Sequence, residues 1–431
     1  MFDMLRKERR ARVFFAAHAQ SAIGTGMGYV ALLLLAYDRL HGAWGITLVL
    51  LADFLPAIVL GPLFGAAADR WSRRTCAVVA DLARAVAFIG IGLVGGIEAT
   101  IALALLAGFG AGLFQPSILA AVPSLVARER VPPAMSLYGA LSEIGTTLGP
   151  ALAALLLLAV GPETLVIADG ATFAVSAVVL ALLPFGARPE REAGDPEHGS
   201  LLREAREGLR AARRLPGVRT ILVTTGAVLL FAGMLNVVEL LFARNELDAG
   251  SSGFSVLVAL AGLGIVIGSA MGSRGGSLGE LRHRYLGGVL IIGIALAGLA
   301  LTPYYALACG VFVAMGIGNG LVLVHGRLLV ERVVPERLLG RVFGVKDAIM
   351  SAALAIAFLT AGALVSLVGT RVLLAIAGGG GILIWAFASA SLRRQWPDAD
   401  VPEEPPAQAG PRAGQETPLP ATETRAVAAE R

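Results

Sequence analysis

The stretch at residues 61–74, GPLFGAAADRWSRR, decides the reading of this chain. Its first half is apolar, with Gly61 and Gly65 four residues apart, a spacing that lets two helices approach closely in a membrane. Its second half turns abruptly charged: Asp69 and Arg70 come first, then Arg73 and Arg74, before apolar sequence resumes. Physically this is a membrane-spanning helix with a close-packing face, a sharp charged turn and a second membrane-spanning helix.

The rest of the chain has the composition such a reading requires. Of 431 residues, 56% are hydrophobic and 15% charged, and the mean hydropathy is +0.76. Soluble domains carry about 25% charged residues, so the composition is that of a polytopic membrane protein. The net charge of +4 does not point to nucleic acid, because the arginines sit in short loops between apolar segments and set orientation in the membrane. Cys76 and Cys309 are far apart, and such a pair defines neither a disulfide frame nor a metal site. The basic N-terminus, MFDMLRKERRAR, precedes an apolar segment without a small-residue cleavage site, which reads as an uncleaved first span.

About 20 apolar residues cross a bilayer as a helix. Such segments fall near 13–37, 45–68, 75–95, 99–122, 134–160 and 163–185, then near 218–242, 253–273, 285–303, 306–328, 343–368 and 371–392. The predicted fold is an all-α membrane protein of twelve transmembrane helices in two pseudo-symmetric six-helix bundles, 1–185 and 218–392. Alternate loops collect arginine (Arg70, Arg73 and Arg74; Arg128 and Arg130; Arg332, Arg337 and Arg341), while the other side has Arg39, Arg244 and Arg371. The positive-inside rule then places both termini in the cytoplasm. A 207-residue offset lays Gly61 and Gly65 on Gly268 and Gly272, and Glu129-Arg130 on Glu336-Arg337, which suggests duplication. Between the halves, the linker 186–217 contains SLLREAREGLRAARRLP, where Leu202, Ala205, Leu209 and Ala212 form one stripe away from the arginines. That pattern predicts an amphipathic interfacial helix on the cytoplasmic leaflet, a plain linker being the simpler role. The tail 393–431 is rich in Pro, Ala and Glu without apolar periodicity and is expected to be disordered.

The 61–74 stretch resembles the signature loop of the major facilitator superfamily of transporters, G-x-L-x-D-R-x-G-R-R. Gly65, Asp69, Arg70, Arg73 and Arg74 match it, with Ala67 in place of the Leu and Ser72 in place of the second Gly. Over about the first 395 residues, and especially in FQPSILAAVPSLVARERVPPAMSLYGALSEIGTTLGPALAALLL, the chain looks like the subgroup of enterobactin-exporter-like and macrolide-efflux-like proteins. Gly145, Gly149 and Pro150 match the fifth-helix antiporter motif G-x-x-x-G-P-x-x-G-G, whose final pair is Ala153-Ala154 here. The resemblance implies parallel six-helix halves around a midplane substrate site. It also implies a conformational latch: Asp69 accepts hydrogen bonds near the start of the eleventh span, around Arg341 to Gly344, where the helix dipole is positive. Arg70 and Arg73 then complete a charge network across the halves. Positive-inside topology alone accounts for Arg74 but leaves Asp69 unexplained.

Ionisable residues within spans are costly and are functional candidates by default. Asp53 lies about nine residues inside the second span, where a carboxyl is protonated or paired, the property a proton-coupling group needs. Glu143, just before the fifth-helix motif, is the next proton-coupling candidate. Asp169 reads as a structural group near the outer end of its span. Asp81 and Arg84, three apart, share a helix face and can pair, and Asp347 has Lys346 and Arg341 as neighbours. Proton-driven drug antiporters of this superfamily often carry an Arg in the fourth span, where this chain has Ala104, and an Asp in the first span, where it has Thr25. Proton coupling therefore does not follow from the motifs alone.

By the same resemblance the cavity is lined by the first, fourth, seventh and tenth spans. Their polar residues include Thr25, Gln115, Asn236 and Asn319 as substrate contacts, with Gln20, Glu239 and His325 beside them. Gln115 precedes Pro116, where a local helix break is expected. Glu239 reads as a group reaching the outer surface, His325 as a packed or solvated side chain, and helix–helix hydrogen bonding accounts equally for the two asparagines. GxxxxGK[ST] is absent, so ATP does not drive the protein. The five histidines are scattered without a metal-ligand pattern. No cofactor, metal or enzymatic activity is expected. The expected function is a secondary transporter of the bacterial cytoplasmic membrane, monomeric by resemblance, exporting a small amphiphilic compound (drug, siderophore or natural product) by alternating access with proton antiport. The alternatives are uptake or flipping of a metabolite or lysolipid without tight proton coupling, and a non-transporting scaffold or sensor.

Overall fold

A computed structural model describes residues 8–40, 42–183, 201–272 and 276–396; of Pro62, Ala66, Ala68, Asp69, Arg70 and residues 201–205 it describes the main chain alone. The basic residues before Glu8, the first part of the linker and the tail beyond Trp396 lie outside the described residues.

The N-terminal half contains α1 (Arg9–Leu40), α2 (Ala43–Arg70), α3 (Arg73–Leu93), α4 (Ile97–Ala121), α5 (Val131–Leu156) and α6 (Pro162–Leu182). The linker contributes α7 (Leu201–Arg214). The C-terminal half contains α8 (Val218–Leu241), α9 (Gly250–Gly272), α10 (Leu278–Leu301), α11 (Tyr305–Val333), α12 (Glu336–Val368) and α13 (Thr370–Gln395). Twelve of these thirteen helices are long and apolar enough to span a membrane. Their ends follow local chemistry. Ser72 caps α3 by accepting from Thr75 N–H at 3.3 Å, and Ser277 caps α10 in the same way. Gly369 alone joins α12 to α13; its φ of 80° lies in the left-handed region where a side chain is strained.

The halves repeat in space as well as in sequence. The helix α2 begins at 43 and α9 at 250, 207 residues apart, and the other spans fall within a few residues of that offset. Packing repeats too: α1 lies on α5 and α6, α2 on α4, and α3 on α4 and α6. The same pattern recurs with α8 on α12 and α13, α9 on α11, and α10 on α11 and α13. The halves meet along α5–α9 and α2–α12.

Two features differ from the sequence reading. The helix α4 runs through Pro116 without a break, its missing N–H tolerated within a continuous span. Of the α7 side chains described, Gly208, Ala211 and Ala212 are buried, because such small residues fit against α12; Leu209 of the expected stripe is left 40% exposed among the arginines, and Leu202 and Ala205 lie outside the described side chains.

Candidate substrate cavity

Among the described residues, the hydrogen bonds between the halves lie on the side away from the termini. Asp38 at the end of α1 accepts from Arg244 at 2.5 Å, and Arg244 also lies over the Tyr37 ring. Thr47 Oγ1 donates to the Phe358 carbonyl at 3.4 Å, and Phe358 meets Phe54 edge to face at 5.7 Å. Deeper in, the Tyr29 hydroxyl donates to Glu239 at 3.2 Å. On the termini side, a methyl added at Gly61 or Gly65 of α2, or at Gly340 or Gly344 of α12, would meet nothing. Among the described residues, the bundle is closed at one end and parted between α2 and α12 at the other.

Between the halves is a cavity of about 570 Å³. Thr25, Gln115, Asn236 and Asn319 line it, and so do Glu239, His18 and Arg84. Gln20 and His325 do not. The Gln20 amide donates to the Thr172 carbonyl at 2.9 Å, and His325 is buried against Gly272 with its Nδ1 2.9 Å from the Leu321 carbonyl.

Glu239 corrects the sequence reading. It does not reach the outer surface: it is 6% exposed and forms part of the cavity's closed end. The reason is that α8 continues past Leu241 as a π-helical turn, Phe242–Glu246, which carries the helix end further out.

Arg84 is the second group whose setting the sequence did not reveal. Its guanidinium pairs with Asp81 and is clamped between the rings of Phe114 and Phe173, at 4.2 and 4.1 Å from their centroids. Phe114 comes from α4 and Phe173 from α6, so three helices hold one cation at the cavity wall. Asp169, fully buried, lies one turn from Phe173. Its Oδ1 accepts from Thr172 at 3.2 Å, and it packs against Gly24 and Gly28 of α1, while Oδ2 has no hydrogen-bond partner. His18 is stacked on Tyr138 at 4.2 Å, with Nε2 3.1 Å from Ser142 Oγ.

The remaining site residues, Pro150 apart, lie off the cavity. Asp53 is half-buried on α2, its carbonyl pressed against Gly108 of α4. Glu143 is exposed on α5, and its main-chain carbonyl accepts from the Thr146 and Thr147 hydroxyls at 2.8 and 3.3 Å. Gly145 and Gly149 bring the α5 backbone onto Ala22, Ile23 and Gly26 of α1, while Pro150 reaches the cavity. The side chains of Asp69 and Arg70 lie outside the described residues. Arg73 does not cross between the halves: it donates to the Ala120 carbonyl at the end of α4 at 2.8 Å, and Arg74 is exposed. Nor does Arg341 pair with Asp347. It is held by Glu207 of α7 at 2.6 Å, because α7 lies directly on the start of α12.

Twelve spans in two repeated halves, parted around a cavity at their interface, define a membrane transporter. The sequence profile of the Major Facilitator Superfamily matches residues 13–305 and 221–431. The chain belongs to the major facilitator superfamily: it is a multi-pass inner-membrane transport protein and not an enzyme. It is 28% identical to the multidrug efflux pump Tap of Mycolicibacterium fortuitum, over 83% of this chain and 89% of that one. It is 26% identical to the MFS-type transporter YfiS of Bacillus subtilis, over 79% and 83%, and 25% identical to macrolide efflux protein A of Streptococcus pyogenes, over 79% and 86%. Among solved structures, a bacterial homologue of the human lysosomal transporter Spinster, inward-facing and unoccupied, shares the fold with a TM-score of 0.68 at 14% identity, covering 92% of this chain and 98% of that one.

Proposed function

We propose that the protein exports a small amphiphilic organic compound carrying a basic group, by alternating access and in exchange for protons. The observation that carries this reading is the charge of the cavity. Among its lining residues, Arg84 is neutralised by Asp81, and the carboxyl of Glu239 faces the space with a tyrosine hydroxyl as its hydrogen-bond partner. A mostly apolar cavity with one such carboxyl suits an apolar body bearing a cation. Relatives named for multidrug and macrolide efflux support export as the direction. With both termini in the cytoplasm, as the arginine distribution argues, the parted end faces inward and the cavity is ready to load from the cytoplasm. Asp53 and Glu143 are the proposed proton-coupling carboxyls, and Gly65, Asp69, Arg70, Arg73 and Arg74 the latch that closes against α12 when the inner side shuts. The working unit is a monomer, since the cavity is completed by one chain.

The test is accumulation of a panel of toxic amphiphiles in cells expressing the protein, with and without a protonophore. Asp53→Asn and Asp69→Asn variants at matched membrane abundance are measured beside it. Protonophore-sensitive depletion of basic compounds, lost in Asp53→Asn, is the expected result. Depletion of no compound, or depletion indifferent to the protonophore and both substitutions, rejects proton-coupled export; uptake or lipid flipping then takes its place.

A further inference from the structure

The linker helix α7 has two working faces. One seats on α12: Gly208 lies against the Arg341 carbonyl and Val345, Ala211 and Ala212 are buried, and Glu207 holds the Arg341 guanidinium at 2.6 Å. The other is exposed and carries Arg206, Leu209, Arg210 and Arg213, at the i, i+3, i+4, i+7 spacing that puts side chains in one stripe. Arg393 and Arg394, at the end of α13, are exposed as well. They adjoin α7 because the Gln395 side chain accepts from Gly217 N–H at the α7–α8 turn. A cluster of arginines with one exposed leucine among them, beside the ends of membrane-spanning helices, matches the boundary where headgroups meet acyl chains.

We propose that this face binds anionic phospholipid headgroups of the adjoining leaflet, and that through Glu207 and Arg341 the bound lipid holds α12 away from α2. The start of α12 is the segment that must swing toward α2 for the termini side to close, and its Gly340 and Gly344 now face open space. Because α7 rests on the Arg341 carbonyl itself, α12 cannot move inward without either carrying α7 off the membrane surface or breaking the Glu207 contact. Anionic lipid thus favours the parted state, whatever the cargo. Each surface arginine strengthens attraction to an anionic leaflet by about fivefold, and salt screens it.

The experiment uses the full chain, with Cys76 and Cys309 replaced by Ala, and spin labels at Ser136 of α5 and Met271 of α9, both exposed at the termini side. Distance distributions are recorded in nanodiscs of phosphatidylcholine alone and of phosphatidylcholine with phosphatidylglycerol. Phosphatidylglycerol is expected to raise the ratio of long to short distances at least about threefold. The combined Arg206→Gln, Arg210→Gln and Arg213→Gln substitutions abolish that response, and Glu207→Gln weakens it while leaving phosphatidylglycerol binding, read by native mass spectrometry, in place. Raised salt erases the response without changing the distribution in phosphatidylcholine, a check that does not depend on any variant folding. Identical distributions in the two lipids, or a response that survives the arginine substitutions or salt, overturns lipid control. A full response in Glu207→Gln overturns transmission through Arg341. Because no cargo is involved, these outcomes are independent of whether export itself is the function.

Discussion

Tyr29 and Glu239 join the two halves of the molecule at the closed end of the cavity, the hydroxyl of one half donating to the carboxyl of the other at 3.2 Å. This contact belongs to one conformational state: parting the halves on that side separates α1 from α8 and breaks it. In the export cycle proposed above, the Glu239 carboxyl is the group that holds the basic part of the cargo. Hydrogen bonds to charged groups contribute about 1.5–3 kcal/mol. Glu239→Gln is therefore expected to weaken export of basic amphiphiles by about 10- to 100-fold, with little change for neutral ones. Tyr29→Phe keeps the charge and should cost less. Efflux assays with matched basic and neutral analogues check this, and equal loss for both classes rejects cation recognition by Glu239.

The architecture was legible in the sequence because it rests on gross physical properties. Twenty-residue apolar runs must be helices in a bilayer, and the charged turn after Gly65 separates two of them. The chemistry of the cavity was less legible, for identifiable reasons. Glu239 lies close to the end of its apolar run, where a carboxylate ordinarily reaches water; only the π-turn Phe242–Glu246 places it inside. The Asp81–Arg84 pair followed from spacing, but its position at the cavity wall depends on Phe114 and Phe173 from two distant segments. At the 207-residue offset, Asp81, Arg84 and Asp169 correspond to Gly288, Ile291 and Ile376, so the packing repeats in the second half while these three buried charges have no counterparts there.

Arg84 and Asp81 form a buried pair, at 11% and 0% side-chain exposure. Removing one partner of such a pair costs about 3–5 kcal/mol, because the other charge is left uncompensated, whereas replacing both with apolar groups is often neutral. Asp81→Leu alone and Arg84→Met alone are each expected to lower the melting temperature in detergent sharply, and the double variant to recover most of the loss. A double variant as unstable as the sum of the singles would show that the two residues act independently.

Gly149 packs backbone to backbone: an added methyl would lie 2.6 Å from the Gly26 Cα and the Met27 nitrogen, atoms that cannot turn aside. Gly149→Ala should therefore destabilise the protein by about 1–3 kcal/mol, the usual cost of overpacking. Gly139 and Gly287 sit in helices where the same methyl meets nothing. Their alanine variants are expected to gain about 0.5–1 kcal/mol from the lower entropy of the unfolded chain. Thermal unfolding of the three variants in one detergent checks the contrast. A neutral Gly149→Ala would mean that α1 and α5 are not held at this spacing.

The Asp38–Arg244 pair closes the cavity's sealed end from outside, yet it is partly exposed, Asp38 at 48% and Arg244 at 21%. Pairs in such settings contribute about 0–1 kcal/mol. Arg244 also lies 5.1 Å from the Tyr37 ring centroid and donates to Ser251 at 3.0 Å, so its removal takes away more than one contact. Asp38→Asn should thus shift the balance toward opening on that side only modestly, up to about fivefold, and Arg244→Gln further. Spin labels at Glu98 and Tyr304, exposed on the same side in opposite halves, report the change as a growing long-distance population. If Asp38→Asn opens this side as far as Arg244→Gln, the ion pair is the main element of the seal. If neither substitution moves the distribution, closure there rests on Thr47, Phe54 and Phe358, whose contacts are apolar or buried and indifferent to salt.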